Sequence, residues 1–160
     1  MLIPDAPWIL HGEAIAMLAS PFSVRLLVNY RDSPVGPYCE HALAQMTWRG
    51  PHVFQMSVDL NASKIGGRTI WGFPKTLENL GWKTCENRVE FWRQRQIFRV
   101  RKIGPSFPLA LSFWTIQNLN GADVRVPGRI RARARFGFRG RQIALFIEDF
   151  WMKFEAPLPL

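Results

Sequence analysis

The sequence predicts a mainly β protein, and three observations carry that expectation. Short segments alternate between apolar and polar residues along most of the chain, as half-buried strands do. Twelve glycines and twelve prolines punctuate those segments at short intervals, which favours many turns over a helical bundle. Hydrophobic residues make up 48% of the 160 residues and aromatics 13%, enough to bury a sizeable core in one domain spanning residues 1–160. Together they indicate an antiparallel barrel or sandwich of roughly eight or more strands.

In chain order, residues 1–12 form a proline-bounded arm in which Trp8, Ile9 and Leu10 begin a first strand. Glu13 to Ser20 fits a continuation of that strand or a short helix, because periodicity does not decide between them. Phe22 to Tyr30 reads as a strand with Val24, Leu26 and Val28 on one face and Arg25, Leu27 and Asn29 on the other. Pro34 and Pro37 make a turn, Cys39 to Trp48 a third strand, and His52 to Leu60 a fourth. Asn61 is the expected N-cap of a short helix over Ala62 to Trp71 that Pro74 ends. Leu77 to Trp82 is expected as loop or short strand. Beyond it lie paired segments: Arg88 to Trp92 with Ile97 to Ile103, then Leu109 to Leu119, then Arg129 to Phe138 with Arg141 to Phe150.

Charge is unevenly spread. Residues 1–80 hold six basic and six acidic residues, so the whole surplus of +9 falls in residues 81–160. Arg129, Arg131, Arg133 and Arg135 alternate with smaller or apolar residues, and Arg93, Arg95, Arg99 and Arg101 add a second row. A basic barrel face that binds nucleic acid is one reading of this pattern. A solvated outer strand face, or a subunit interface, is the favoured one, because an outer barrel strand must alternate in any case. Residues 103–122 carry no charge, but Pro105, Pro108, Gln117, Asn118 and Asn120 argue against a membrane helix. The start of the chain lacks the basic and long apolar segments of a secretory signal, and two cysteines, Cys39 and Cys85, are too few for a disulfide scaffold. A cytoplasmic protein with reduced thiols is expected. The three histidines share no spacing with each other or with the cysteines, so no metal site is expected.

The most informative stretch is Gly66-Gly67-Arg68-Thr69-Ile70-Trp71-Gly72-Phe73-Pro74-Lys75-Thr76-Leu77. A lysine directly behind a proline, among aromatics and glycines, is either a desolvated amine that attacks carbonyl groups or a solvated lysine at the end of a turn. Two further stretches accompany it: Pro7-Trp8-Ile9-Leu10-His11-Gly12, and Tyr30-Arg31-Asp32-Ser33-Pro34-Val35-Gly36-Pro37-Tyr38-Cys39-Glu40. In this order the three resemble the acetoacetate decarboxylase family over about the first half of the chain, with the second half matching only as strands and shorter than in typical members. The resemblance implies an antiparallel barrel or cone of roughly 8–10 strands, with one or two short helices and an interior pocket. It also implies a Schiff base between Lys75 and a ketone substrate, Glu40 lining the same pocket, and neither cofactor nor metal.

Loss of CO₂ from a β-keto acid leaves a carbanion, which an iminium on lysine accepts as an enamine; acetoacetate decarboxylase is itself the standard illustration of an amine made nucleophilic by its surroundings. The family places a second lysine directly after the reactive one, whereas Thr76 stands here. Any depression of the amine's pKa then has to come from burial beside Trp71 and Phe73, or from Lys64 or Arg68 folding close. The family arginine that holds the substrate carboxylate corresponds to Gly12-Glu13, and Arg25 falls where a glutamate is usual. A swapped pair is the resulting expectation, with Glu13 and Arg25 facing each other across the pocket and Arg25 binding the carboxylate. Glu40 is the expected acid–base group, and Tyr38 and Phe73 the pocket walls. The resulting expectation is a homo-oligomeric decarboxylase-like lyase acting on a small keto acid. Aldolase or dehydratase chemistry on the same lysine is open as well, as is a silent pocket protein that binds a small apolar or carbonyl ligand.

Overall fold

The computed structural model describes residues 2–160, which form twelve strands and one helix. The first four strands are β1 (Trp8–Ser20), β2 (Ser23–Asp32), β3 (Tyr38–Thr47) and β4 (Gly50–Val58), a meander of antiparallel neighbours. Helix α1 (Asn61–Trp71) follows, then β5 (Lys75–Leu77), which pairs with β4 in parallel. The second half supplies β6 (Leu80–Cys85), β7 (Arg88–Arg93), β8 (Gln96–Lys102), β9 (Phe107–Leu119), β10 (Ala122–Arg139), β11 (Gln142–Phe154) and β12 (Leu158–Pro159). The strands run in the order β5-β4-β3-β2-β1-β11-β10-β8-β7-β6, with β9 and β12 also paired to β10. The sheet is mixed and does not close, but it curls into a barrel-like cone.

Several expectations change in detail. Glu13 to Ser20 is strand: β1 continues through a shift of register at Gly12, where a side chain would collide with the backbone of Asn29. The stretch expected as loop or short strand, Leu77 to Trp82, takes in the end of β5 and the start of β6, separated by Glu78 and Asn79. The described residues hold one helix, and its first residue is Asn61 itself; Leu60 holds the cap position in extended conformation without a side-chain cap bond. An apolar residue cannot cap, but Leu60 packs against the core instead. The helix stops at Gly72, two residues before Pro74, in the left-handed conformation (φ 73°). There Gly72 N–H donates to Arg68 O, the bond of an αL cap, and Phe73 N–H donates to Gly67 O.

The middle strands of the sheet serve two cores because successive side chains leave opposite faces. Val28 and Tyr30 on β2, Tyr38 and Ala42 on β3, and Phe150 on β11 face the first core, with Trp8, Trp71 and Phe73. Leu27, Cys39 and Phe146 from the same strands face the second core, with Val89, Phe91, Phe98 and Val100 from the β7–β8 hairpin. On β11 the alternation inverts between Phe146 and Phe150, beside Asp149 with its positive φ of 49°. The long β10 pairs with β9 over its first two-thirds and with β8 near its end. This lets β9 curl over the first core until it lies against β4, enclosing a space above Glu40.

Candidate active site

Lys75 is brought inside by the turn that precedes it. After Gly72 reverses the chain, Phe73 O accepts a bond from Lys75 N–H (2.8 Å) around Pro74, whose ring presets its own φ. The chain then enters β5 with Lys75 opposite Met56. Lys75 is 4% exposed while Thr76 and Leu77 turn outward. The lysine stem lies across helix α1 at Gly67, where a Cβ would come within 2.5 Å of Lys75 Cδ and 2.6 Å of Cε. Glycine at 67 is thus a clearance for the lysine rather than a flexible joint.

The amine ends in a polar chain embedded in the first core. Nζ lies 2.9 Å from Glu40 Oε2 and donates to Ser63 Oγ at 2.9 Å. The ring of Tyr38 stands beside it, 5.3 Å from Nζ to the centroid. The Tyr30 hydroxyl donates to the other Glu40 oxygen, Oε1, at 3.1 Å. Burial, reinforced by the Glu40 charge, pushes both phenols well above their ordinary range, which keeps Tyr30 a proton-bearing donor. Each carboxylate oxygen of Glu40 is therefore satisfied, one by a cation and one by a phenol.

Two adjacent cavities flank this chain. A small one of about 20 Å³, room for one water, is lined by Lys75, Glu40, Tyr30, Tyr38 and Phe73 among others. A larger one of about 300 Å³ runs between β3, β4 and β9. The two share Tyr30, Glu40, Met56, Phe73 and Phe154 as walls. Among the described residues lining the larger cavity, Glu40 is the only charged one.

Four of the residues singled out in the sequence meet here: Lys75, Glu40, Tyr38 and Phe73. Arg25 does not. The proposed pairing of Glu13 with Arg25 across the pocket is not found, because β2 turns Leu26 and Val28 toward the cavity and Arg25 away from it. Arg25 Nη1 instead lies 2.9 Å from His41 Nε2 and stacks over Phe98 at 5.0 Å, in the second core. Glu13 accepts a bond from Asn29 on that same side. Position 76 also faces away from the cavity: the Thr76 hydroxyl bonds to Met56 O (3.3 Å) and approaches Ser57 Oγ (3.5 Å). Arg68 is exposed and pairs with none of these groups.

Sequence reasoning missed Ser63, Tyr30 and the clearance at Gly67. A signal was present for two of them, since Ser63, Gly67 and Trp71 recur at four-residue spacing and so share one helix face. Also unforeseen is a second buried polar group behind the sheet. His41 is fully buried, and burial with the charges of Arg93 and Arg25 pushes its pKa down to about 4. Most of the arginines in the two rows lie outside: Arg129 pairs with Glu155, Arg135 with Glu148 and Arg99 with Glu90, while Arg133 bonds Ser106; Arg93 is largely covered and pairs with Glu78. Among the described residues, no helix is long and apolar enough to cross a membrane, and no cluster of three or more His, Cys, Asp or Glu is placed to hold a metal.

No family model and no curated protein matches the sequence. Solved structures do match the fold. An acetoacetate decarboxylase from Legionella pneumophila superposes with a TM-score of 0.68 at 13% identity, over 100% of this chain and 90% of that one. A second acetoacetate decarboxylase structure gives 0.60 at 11% identity, covering 97% and 88%. The enduracididine biosynthesis enzyme MppR, in complex with pyruvate, gives 0.60 at 8% identity, covering 98% and 91%. The chain therefore has the acetoacetate decarboxylase fold; at these identities the likeness speaks to architecture alone.

Proposed function

We infer that this protein is an imine-forming carbon–carbon lyase, in which Lys75 condenses with a small carbonyl compound and Glu40 moves the protons. The observation that carries the reading is the buried Lys75–Glu40 contact of 2.9 Å, in which Glu40 is also the charged wall of an otherwise apolar cavity. An isolated buried ammonium or carboxylate is costly, and each is tolerated here only through the other. Direct contact also gives the amine a base: transfer of a proton from Nζ to Glu40 leaves a neutral nucleophile beside a neutral acid.

The steps follow from that arrangement. Nζ attacks the carbonyl carbon, and the protonated Glu40 returns its proton to the carbinolamine hydroxyl, which leaves as water. The resulting iminium draws the electron pair of the adjacent carbon–carbon bond to form an enamine. In β-keto acid decarboxylation the departing fragment is CO₂. In retro-aldol cleavage it is an aldehyde, formed as the substrate's β-hydroxyl gives up its proton to Glu40. Protonation of the enamine carbon and hydrolysis then free Lys75. The likeness in fold to acetoacetate decarboxylases supports the first outcome. The aldol-type outcome has its own support: neither cavity is lined by an arginine or by a lysine other than Lys75, so a substrate carboxylate finds no separate counter-ion.

Borohydride reduction in the presence of acetoacetate, acetone or a β-hydroxy ketone is the test. A mass increase localised to Lys75, absent without the carbonyl compound and absent in Lys75→Met, is the expected result. No adduct with any of these compounds would leave a pocket protein without imine chemistry.

A further inference from the structure

Resting on the Lys75 imine reading, the geometry points to a substrate class: uncharged carbonyl compounds carrying an unbranched hydrocarbon chain of up to about ten carbons, with the carbonyl at Lys75 and the chain in the cavity.

Volume is the first argument. The cavity of about 300 Å³ is twice the roughly 150 Å³ that accommodates a benzene ring, so it offers space for about twelve non-hydrogen atoms. A three-carbon ketone would leave most of it vacant, and its walls give water almost nothing to bond with. Shape is the second. Glu40, Ala42 and Ala44 follow one another on the same face of β3, with Glu40 beside Val28 and Ala42 beside Leu26 on β2. Four residues of strand span about 13 Å. An extended chain advances about 1.2 Å per bond, which sets the limit of about ten carbons between the amine and the outer end. The alanines make this a trough rather than a filled core. At its outer end Leu111 and Trp114 are each 44% exposed, so an apolar rim opens to solvent, while Met56 and Val28 at the inner end are buried.

Charge is the third argument: it favours the aldol-type outcome over decarboxylation and selects against fatty-acid-like ligands and keto acids. In the resting site one cation faces one anion. Imine formation converts the ammonium to an iminium and leaves that balance unchanged. A carboxylate on the substrate would add a second anion beside Glu40 in an apolar enclosure, and it would need to bring its own proton to be accepted.

The test uses the intact protein, borohydride, and two homologous series: methyl ketones from acetone to 2-tridecanone, and 3-keto acids of matching length. Half-maximal labelling of Lys75 is read by mass spectrometry. Each added methylene is expected to lower the ketone concentration required by about threefold to fourfold, the equivalent of ~0.8 kcal/mol of buried CH₂, with the gain ending near ten carbons. Keto acids of equal length should need at least tenfold more at pH 8. Ala44→Phe, which fills the outer trough, should move the end of the gain to shorter chains. Labelling by acetone that is indifferent to chain length, or keto acids that label as readily as ketones, overturns this substrate class while leaving the imine reading intact. No labelling by any compound overturns both.

Discussion

Replacing Gly67 by alanine separates reactivity from stability. A Cβ at this position would stand 2.5 Å from Lys75 Cδ and 2.6 Å from Cε, where ordinary contact begins at 3.4 Å. The lysine stem must therefore move by about 1 Å, since van der Waals repulsion rises steeply inside that distance. Such a shift would open the 2.9 Å contacts of Nζ with Glu40 and Ser63 beyond hydrogen-bonding range. Alanine in place of a helix-interior glycine contributes up to about 1 kcal/mol, which offsets much of the 1–3 kcal/mol cost of overpacking. Global stability should therefore fall by no more than about 2 kcal/mol. Misplacement of a reacting group by 1 Å costs on the order of 100-fold in rate. The assay is the rate of Lys75 reduction by borohydride with a saturating ketone, alongside urea denaturation. Gly66→Ala is the comparison: its Cβ meets the rigid Trp8 ring at 2.5 Å, remote from the amine, so stability should suffer more than labelling. Gly67→Ala labelling at the wild-type rate would refute the idea that glycine is there to seat the lysine.

Lys75→Met should abolish labelling and also destabilise the fold by about 3–5 kcal/mol near neutral pH, because Glu40 is left buried with no cation. Adding Glu40→Gln should recover a large part of that loss in urea titrations; no recovery would mean that the pair is not the source. Ser63→Ala removes one acceptor from Nζ and should cost about 1–3 kcal/mol, as a bond to a charged buried group does, with slower labelling measured on the same variant. His41 gives a pH dependence. Its folded pKa of about 4 lies below the unfolded value of about 6.5, so between these pH values the unfolded chain binds the extra proton. Stability from this source is complete above pH 6.5 and is lost as pH falls toward 4, amounting to about 3 kcal/mol. Urea midpoints across that window should therefore slope less in His41→Gln than in wild type; equal slopes would contradict the assignment.

Local chemistry determined a good deal of this protein. Strand alternation, turn residues and the aromatic content indicated a β fold, and Phe73-Pro74-Lys75 with Tyr38-Cys39-Glu40 marked two sides of one site. These are readable because a strand's faces and a proline's φ are properties of a few adjacent residues. Tertiary structure alone decided the rest. Arg25 and Glu40 sit on neighbouring strands and look equally available in one dimension, but parity sends Arg25 behind the sheet to His41 and Glu40 into the cavity. Ser63 joins the amine only because the helix turns that face toward β5, and Gly67 matters only because the lysine crosses it. The apolar trough depends on β9 curling over from β10 to meet β4, a contact between residues about sixty positions apart. Which face a residue takes follows from local geometry, whereas what lies opposite that face is settled only when the distant strands close over it.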